Sequence, residues 1–85
     1  MRYVTPASTK RDAIRAIYAA VDAPEWAAPN VDGLIDVLRD LSWLPPGPVV
    51  LQLSPVGDVP EDVLETLAIA EEETGDTDRP VRVRF

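Results

Sequence analysis

Residues 45–53 read Pro-Pro-Gly-Pro-Val-Val-Leu-Gln-Leu, and no other stretch limits the fold so strongly. Three prolines and a glycine end any helix that arrives there, because proline lacks the backbone donor and clashes with the preceding turn. The apolar run that follows, Val49 to Leu53, predicts a buried strand. Both sides of this strand carry helical patterns. Ala13, Ile14, Ile17, Tyr18 and Val21 recur at helical spacing, with Ser8 or Thr9 as the cap of a helix running to about Val21. Asn30 is a second cap, followed by a stripe of Val31, Leu34, Ile35, Leu38 and Leu41. Pro60, with Glu61 and Asp62 in the first turn, opens a third helix through Val63, Leu64, Leu67, Ala68 and Ala70 or Glu71, which Gly75 stops.

Arg2 to Thr5 predicts a short first strand. Val81 to Phe85 alternates apolar and basic residues, as a strand with one wet face does. Asp22 to Asn30 holds Pro24 and Pro29, so it is a loop with at most one short turn, and Ser54 to Val59 is a loop. Strands joined through helices imply a parallel sheet. The expectation is an α/β fold, with three parallel strands packed by three to four helices. At 85 residues, one domain spanning 1–85 with one core is expected.

Composition removes whole classes of chemistry. The chain has no Cys and no His. Disulfides, thiolate catalysis, Cys-ligated zinc and the commonest general base are therefore absent. No calcium-loop pattern occurs, so neither a cofactor nor a metal is expected. The apolar stretch near Ala13 to Ala23 is too short and too charged to span a bilayer, and no targeting signal is legible. A cytoplasmic location without membrane contact is the expectation.

Net charge is −7, and it is unevenly spread. From Asp22 to Asp78 there are fourteen acids and one base, Arg39; the two ends carry seven bases against one acid, Asp12. The acidic middle would repel a phosphate backbone, which argues against nucleic acid as the partner. It favours a basic protein, drawn in by a long-range field that salt screens. Acidity for solubility alone is the plain alternative.

The segment Ala23 to Leu38 reads A-P-E-W-A-A-P-N-V-D-G-L-I-D-V-L. It resembles the barstar family of intracellular ribonuclease inhibitors, whose pattern is P-E, an aromatic, a short loop, then N-h-D-x-L-x-D with h apolar. Pro24-Glu25, Trp26, Asn30, Val31, Asp32, Leu34 and Asp36 match it. Trp43 after the helix, the V-V-L strand, a helix ending near Gly75 and a last strand extend the likeness over most of the chain. The resemblance implies a barstar-like fold and a one-to-one complex with a basic, guanyl-specific microbial ribonuclease. It implies that Asp36 takes the place of an RNA phosphate, with Asp32 as a second anchor. Trp26, Asn30, Gly33, Ile35 and Trp43 would contact the enzyme around them, and Glu72 and Glu73 would add charge from the third helix. Ala27, Ala28, Pro29 and Ile35 depart from the best-known pattern, so a related ribonuclease is expected rather than barnase itself.

Each position also has an ordinary explanation. Asp36 fits a solvated helix face, Asp32 the helix dipole, Asn30 a cap, and Trp26 and Trp43 a core. Glu71, Glu72 and Glu73 sit at a helix end that disfavours negative charge, with no base near them in sequence before Arg79. That apparent lack of compensation hints at function. The alternatives to ribonuclease inhibition are immunity to another nuclease toxin delivered between bacteria, or a non-inhibitory acidic interaction domain. An enzyme ranks last, since only Asp32 with Asp36 could act, on an exposed face rather than in a pocket.

Overall fold

A computed structural model describes residues 1–53 and 59–85. Its elements are β1 (Arg2–Tyr3), α1 (Lys10–Ala20), α2 (Val31–Asp40), β2 (Val49–Gln52), α3 (Glu61–Glu73) and β3 (Val81–Arg84). The loop expected over Ser54 to Val59 falls, for residues 54–58, outside the described residues. Both expected caps form. The Thr9 hydroxyl accepts from the Asp12 N–H at 3.2 Å, and the Asn30 side chain accepts from the Gly33 N–H at 2.7 Å. Each satisfies a donor that a helix start would otherwise leave unpaired. Helix α3 begins after Pro60 without a side-chain cap, and Glu61 and Asp62 supply the favourable charge in its first turn. Lys10 reaches across to Asp62 at 2.8 Å, tying the starts of α1 and α3.

The strands form one sheet in the order β1-β2-β3, with both pairings parallel. Arg2 lies opposite Leu51 and Tyr3 opposite Gln52; Val49 to Gln52 face Val81 to Arg84 in step. Side chains alternate between the two sides. Val49, Leu51 and Val81 are buried in the core beneath the helices. Val50 and Gln52 are half-buried on the opposite side, and Tyr3, Arg82 and Arg84 are exposed there. The apolar run of β2 therefore makes a strand, fully buried on one face and half-buried on the other.

The core joins Ile14, Ile17, Tyr18 and Val21 to Leu34, Val37, Leu38 and Leu41, and to Val63, Leu67 and Ala70. The stripe read from α1 is buried throughout. Two other details differ from expectation. In α2 the buried face is turned toward Val37, which is fully buried, while Val31 and Ile35 lie half-exposed at its edge. With six apolar residues between Val31 and Leu41, the stripe is wider than one buried face, and Leu34, Val37, Leu38 and Leu41 are the ones that enter the shared core. In α3 the inward positions are Val63, Thr66, Leu67 and Ala70, with Leu64 half-exposed and Ala68 exposed.

Nor does Gly75 end α3 through a left-handed residue; among the described glycines only Gly47 has positive φ. The helix does stop within two residues of Gly75, at Glu73, and Thr74 ties that end down. Its buried hydroxyl donates to the Ala70 carbonyl at 2.7 Å and accepts from the Val81 N–H at 2.8 Å, joining the helix end to the start of β3. Leu41, the C-cap of α2, is left-handed at φ 49° with its side chain fully buried. That backbone costs about 1–2 kcal/mol for a non-glycine residue, a sum matched by burying a leucine side chain, about 1.5–3 kcal/mol. Among the described residues no helix is long and apolar enough to cross a membrane.

Candidate functional site

The segment between α1 and α2 is held by contacts that spacing alone does not reveal. The Tyr18 hydroxyl, on the last turn of α1, donates to the Ala28 carbonyl at 2.5 Å. The same carbonyl oxygen lies against Gly33: a methyl carbon built there would sit 2.3 Å from it and 3.0 Å from the Tyr18 hydroxyl. Gly33 is thus the spacer that lets the loop lie on α2. The Asn30 cap fixes the point where loop becomes helix. Burial raises the Tyr18 pKa, and the negative charge of Asp36 raises it further. Asp36 is therefore an electrostatic neighbour of the loop's anchor.

Trp26, at the turn of the loop, is 65% exposed. It meets Trp43 edge to face, with ring centroids 6.4 Å apart and planes at 88°, a favoured aromatic geometry. Trp43 is half-buried, and its indole N–H donates to the Val21 carbonyl at 2.8 Å. It acts as a pedestal for Trp26, satisfied from the core side. Asp32 and Asp36 are exposed one helical turn apart. Between α2 and α3 runs a shallow groove lined by Val31, Asp32, Ile35, Arg39, Ile69 and Glu73. Ile69 is 47% exposed. Apolar floor and charged rim thus lie side by side.

The three glutamates at the end of α3 differ in their surroundings. Glu73 receives a two-point hydrogen bond from Arg39, from Nε at 2.5 Å and from Nη2 at 2.9 Å. That bond holds the Glu73 carboxyl below its ordinary range and the guanidinium more firmly protonated. Glu71 accepts from the Val83 N–H at 2.9 Å, capping a backbone donor of edge strand β3. Glu72 is exposed and has no ion pair among the described residues. The view that this cluster lacks compensation is therefore corrected: for Glu71 and Glu73 the compensation comes from partners distant in sequence.

Over residues 4–85 the chain matches the family described as Barstar (barnase inhibitor). The chain belongs to the barstar family. No curated protein and no solved structure matches it. The barstar assignment agrees with the one sheet of three parallel strands and the three helices found among the described residues, and it points to inhibition rather than catalysis and to a ribonuclease as the class of partner.

Of the residues singled out in sequence, Trp26, Asn30, Asp32, Ile35 and Asp36 are solvent-accessible on the loop and α2, while Gly33 and Trp43 support that surface from behind. Glu73 joins them across the groove, and Glu72 is not among the groove's lining. Three contributors escaped the sequence reading. Tyr18 looked like one more stripe residue, although a core tyrosine needs a partner for its hydroxyl. Arg39 stood out as the sole base of the acidic segment, but its pairing with Glu73 spans 34 positions. Ile69 left no signal, because one exposed isoleucine is ordinary.

Proposed function

We propose that this chain inhibits a secreted, guanyl-specific microbial ribonuclease by laying the loop and the outer face of α2 into the enzyme's basic active-site cleft, one inhibitor to one enzyme. Asp36 substitutes for a phosphate of the RNA. As a carboxylate it accepts charge-assisted hydrogen bonds from the cationic side chains that would grip that phosphate. Asp32, one turn earlier, adds a second charge. Trp26 and Ile35 contribute apolar area beside the charges, and Asn30 presents the end of the loop. Gly33 and Trp43 act from behind, by keeping the loop backbone close to α2 and by holding the Trp26 ring. Glu73 anchors Arg39 so that the lone base of the face lies in an ion pair, and Glu72 adds to the field at the margin.

The observation that carries this reading is the anchoring of the loop. Tyr18, Gly33 and Asn30 fix its backbone at three points next to two exposed carboxylates. A surface ordered before binding loses less conformational freedom on association, and affinity rises accordingly. A face kept acidic merely for solubility needs no such order. The reading also implies a cytoplasmic protein of one domain across residues 1–85, guarding the cell against its own enzyme. Acid-rich proteins of this kind associate quickly with basic partners; barnase and barstar are the standard instance of that steering.

A panel of purified nucleases tests the proposal. Stoichiometric inhibition of a guanyl-specific ribonuclease supports it. Inhibition of an unrelated nuclease toxin alone would reassign the target, and no inhibition of any nuclease would leave a non-inhibitory interaction domain.

A further inference from the structure

Among the described residues, no helix packs on the outer face of the sheet. Parallel sheets are normally covered on both faces, yet here all the packing helices lie on one side. The uncovered side carries Tyr3, Val50, Gln52, Arg82 and Arg84, placed together by the register of the three strands. Tyr3 is 76% exposed, and both arginines are exposed with no ion pair among the described residues. The chain thus has two chemically opposite surfaces. Across the helices run Asp32 and Asp36 with Trp26 and Ile35; across the sheet run Arg82 and Arg84 with Tyr3.

We infer that the sheet face is a docking surface for a second copy of this chain, whose α2 carboxylates meet Arg82 and Arg84. Two observations select that occupant. The first is charge complementarity: an acidic helix face is what a basic sheet face attracts, and the chain carries both. The second is spacing. Asp32 and Asp36 are four residues apart on a helix, roughly 6 Å along the axis at about 1.5 Å per residue. Arg82 and Arg84 are two apart on a strand, roughly 6.6 Å at about 3.3 Å per residue. Two carboxylates and two guanidinium groups therefore pair in step. Tyr3 lies on the same face two strands away and adds exposed aromatic area to it.

The two surfaces lie on opposite layers of the fold, so the contact is heterologous. It propagates head to tail and does not close in a dimer. Docked copies hide the acidic face, which makes the assembly a masked form that a tighter partner for that face would take apart. Self-docking needs only the charges of the face, so it holds or fails independently of which enzyme, if any, the face inhibits.

Net charge sets the conditions. Two chains of charge −7 repel each other at long range. At about 0.1 M salt the screening length is about 10 Å, shorter than the 19 Å least extent of the molecule, so the overall repulsion is damped while contact pairs survive. At about 1 M salt it is about 3 Å, and the pairs weaken too. Sedimentation velocity of the purified chain over a concentration series provides the test. The expected result is a weight-average mass that rises with concentration near 0.1 M salt and returns to the monomer near 1 M. The double variant Arg82→Glu/Arg84→Glu should weaken association at least about tenfold, as like charges then face one another. Asp32→Asn/Asp36→Asn should do the same from the other surface. A wild-type monomer at every salt and concentration overturns the inference, and so does association that either double variant leaves unchanged. Circular dichroism of the variants keeps misfolding from passing as a lost contact, since all four positions are exposed.

Discussion

Replacing Gly33 with alanine should destabilise this protein, although alanine is the better helix residue. Helix propensity alone favours the substitution by at most about 1 kcal/mol. Against it stands the Ala28 carbonyl oxygen, 2.3 Å from where the new methyl carbon would lie. Ordinary contact begins near 3.4 Å, so the loop must withdraw by about 1 Å, the shortfall between the two distances. Withdrawal lengthens the 2.5 Å hydrogen bond from Tyr18 to Ala28 beyond useful range. Losing that bond costs about 0.5–1.5 kcal/mol, and forcing a methyl group into a filled contact costs about 1–3 kcal/mol. With the propensity gain subtracted, a net loss of about 0.5–3.5 kcal/mol is expected. Urea unfolding measures it as a lower midpoint at unchanged slope. A double-mutant cycle with Tyr18→Phe sharpens the test, because both substitutions break one bond and their effects should fall short of additivity. If Gly33→Ala instead stabilises by about 1 kcal/mol, the glycine is no spacer and the loop is not held against α2 in the way described.

The remaining expectations concern charge and strain. Asp36→Ala should weaken ribonuclease binding by about 2–5 kcal/mol in a calorimetric titration while thermal stability stays within about 0.5 kcal/mol; unchanged affinity would remove Asp36 from the interface. The association rate with a basic ribonuclease should fall steeply as salt rises, and a flat stopped-flow series would rule out steering. The Arg39 pair depresses the Glu73 pKa, so its stabilising contribution is present at neutral pH and is lost as pH falls through the carboxylate range; NMR titration should show Glu73 shifting upward in Arg39→Ala. Burial, with help from Asp36, raises the Tyr18 pKa, so the folded state holds that proton longer than the unfolded one. Stability should be full below the ordinary tyrosine value of about 10 and decline above it, a decline that Tyr18→Phe should flatten in alkaline unfolding curves. Leu41→Gly relieves a strained backbone but empties a core site; the cavity, about 2–5 kcal/mol, exceeds the relief of about 1–2 kcal/mol, so unfolding should come earlier.

Much of the fold was legible because it rests on local rules. Thr9 and Asn30 cap the helices that their positions announced, and the proline cluster before Val49 separates α2 from β2. The α1 stripe is a single narrow face, and all of it is buried. In α2 the apolar positions cover more than one face, so periodicity admitted two orientations. Core packing buried Val37 and left Ile35 at the groove beside α3. Gly75 marks the end of α3 to within two residues, but the tie from Thr74 to the first N–H of β3 left no local signal. Within the candidate site, the family resemblance singled out Trp26, Asn30, Asp32 and Asp36, and all four are exposed on one loop–helix unit.

The sequence by itself determined the order of elements, the lack of thiol and imidazole chemistry, and the concentration of acid in the middle of the chain, because each depends on residues close together or on composition alone. The tertiary structure decided what those residues touch. Arg39 found Glu73, Tyr18 found Ala28 and Glu71 found the edge of β3 across separations of 34, 10 and 12 residues. It also decided that, among the described residues, the helices cover one face of the sheet, because successive parallel crossovers advancing in one direction share a hand and put their helices on the same side. Spacing within an element cannot report such pairings, since they depend on how separate elements dock.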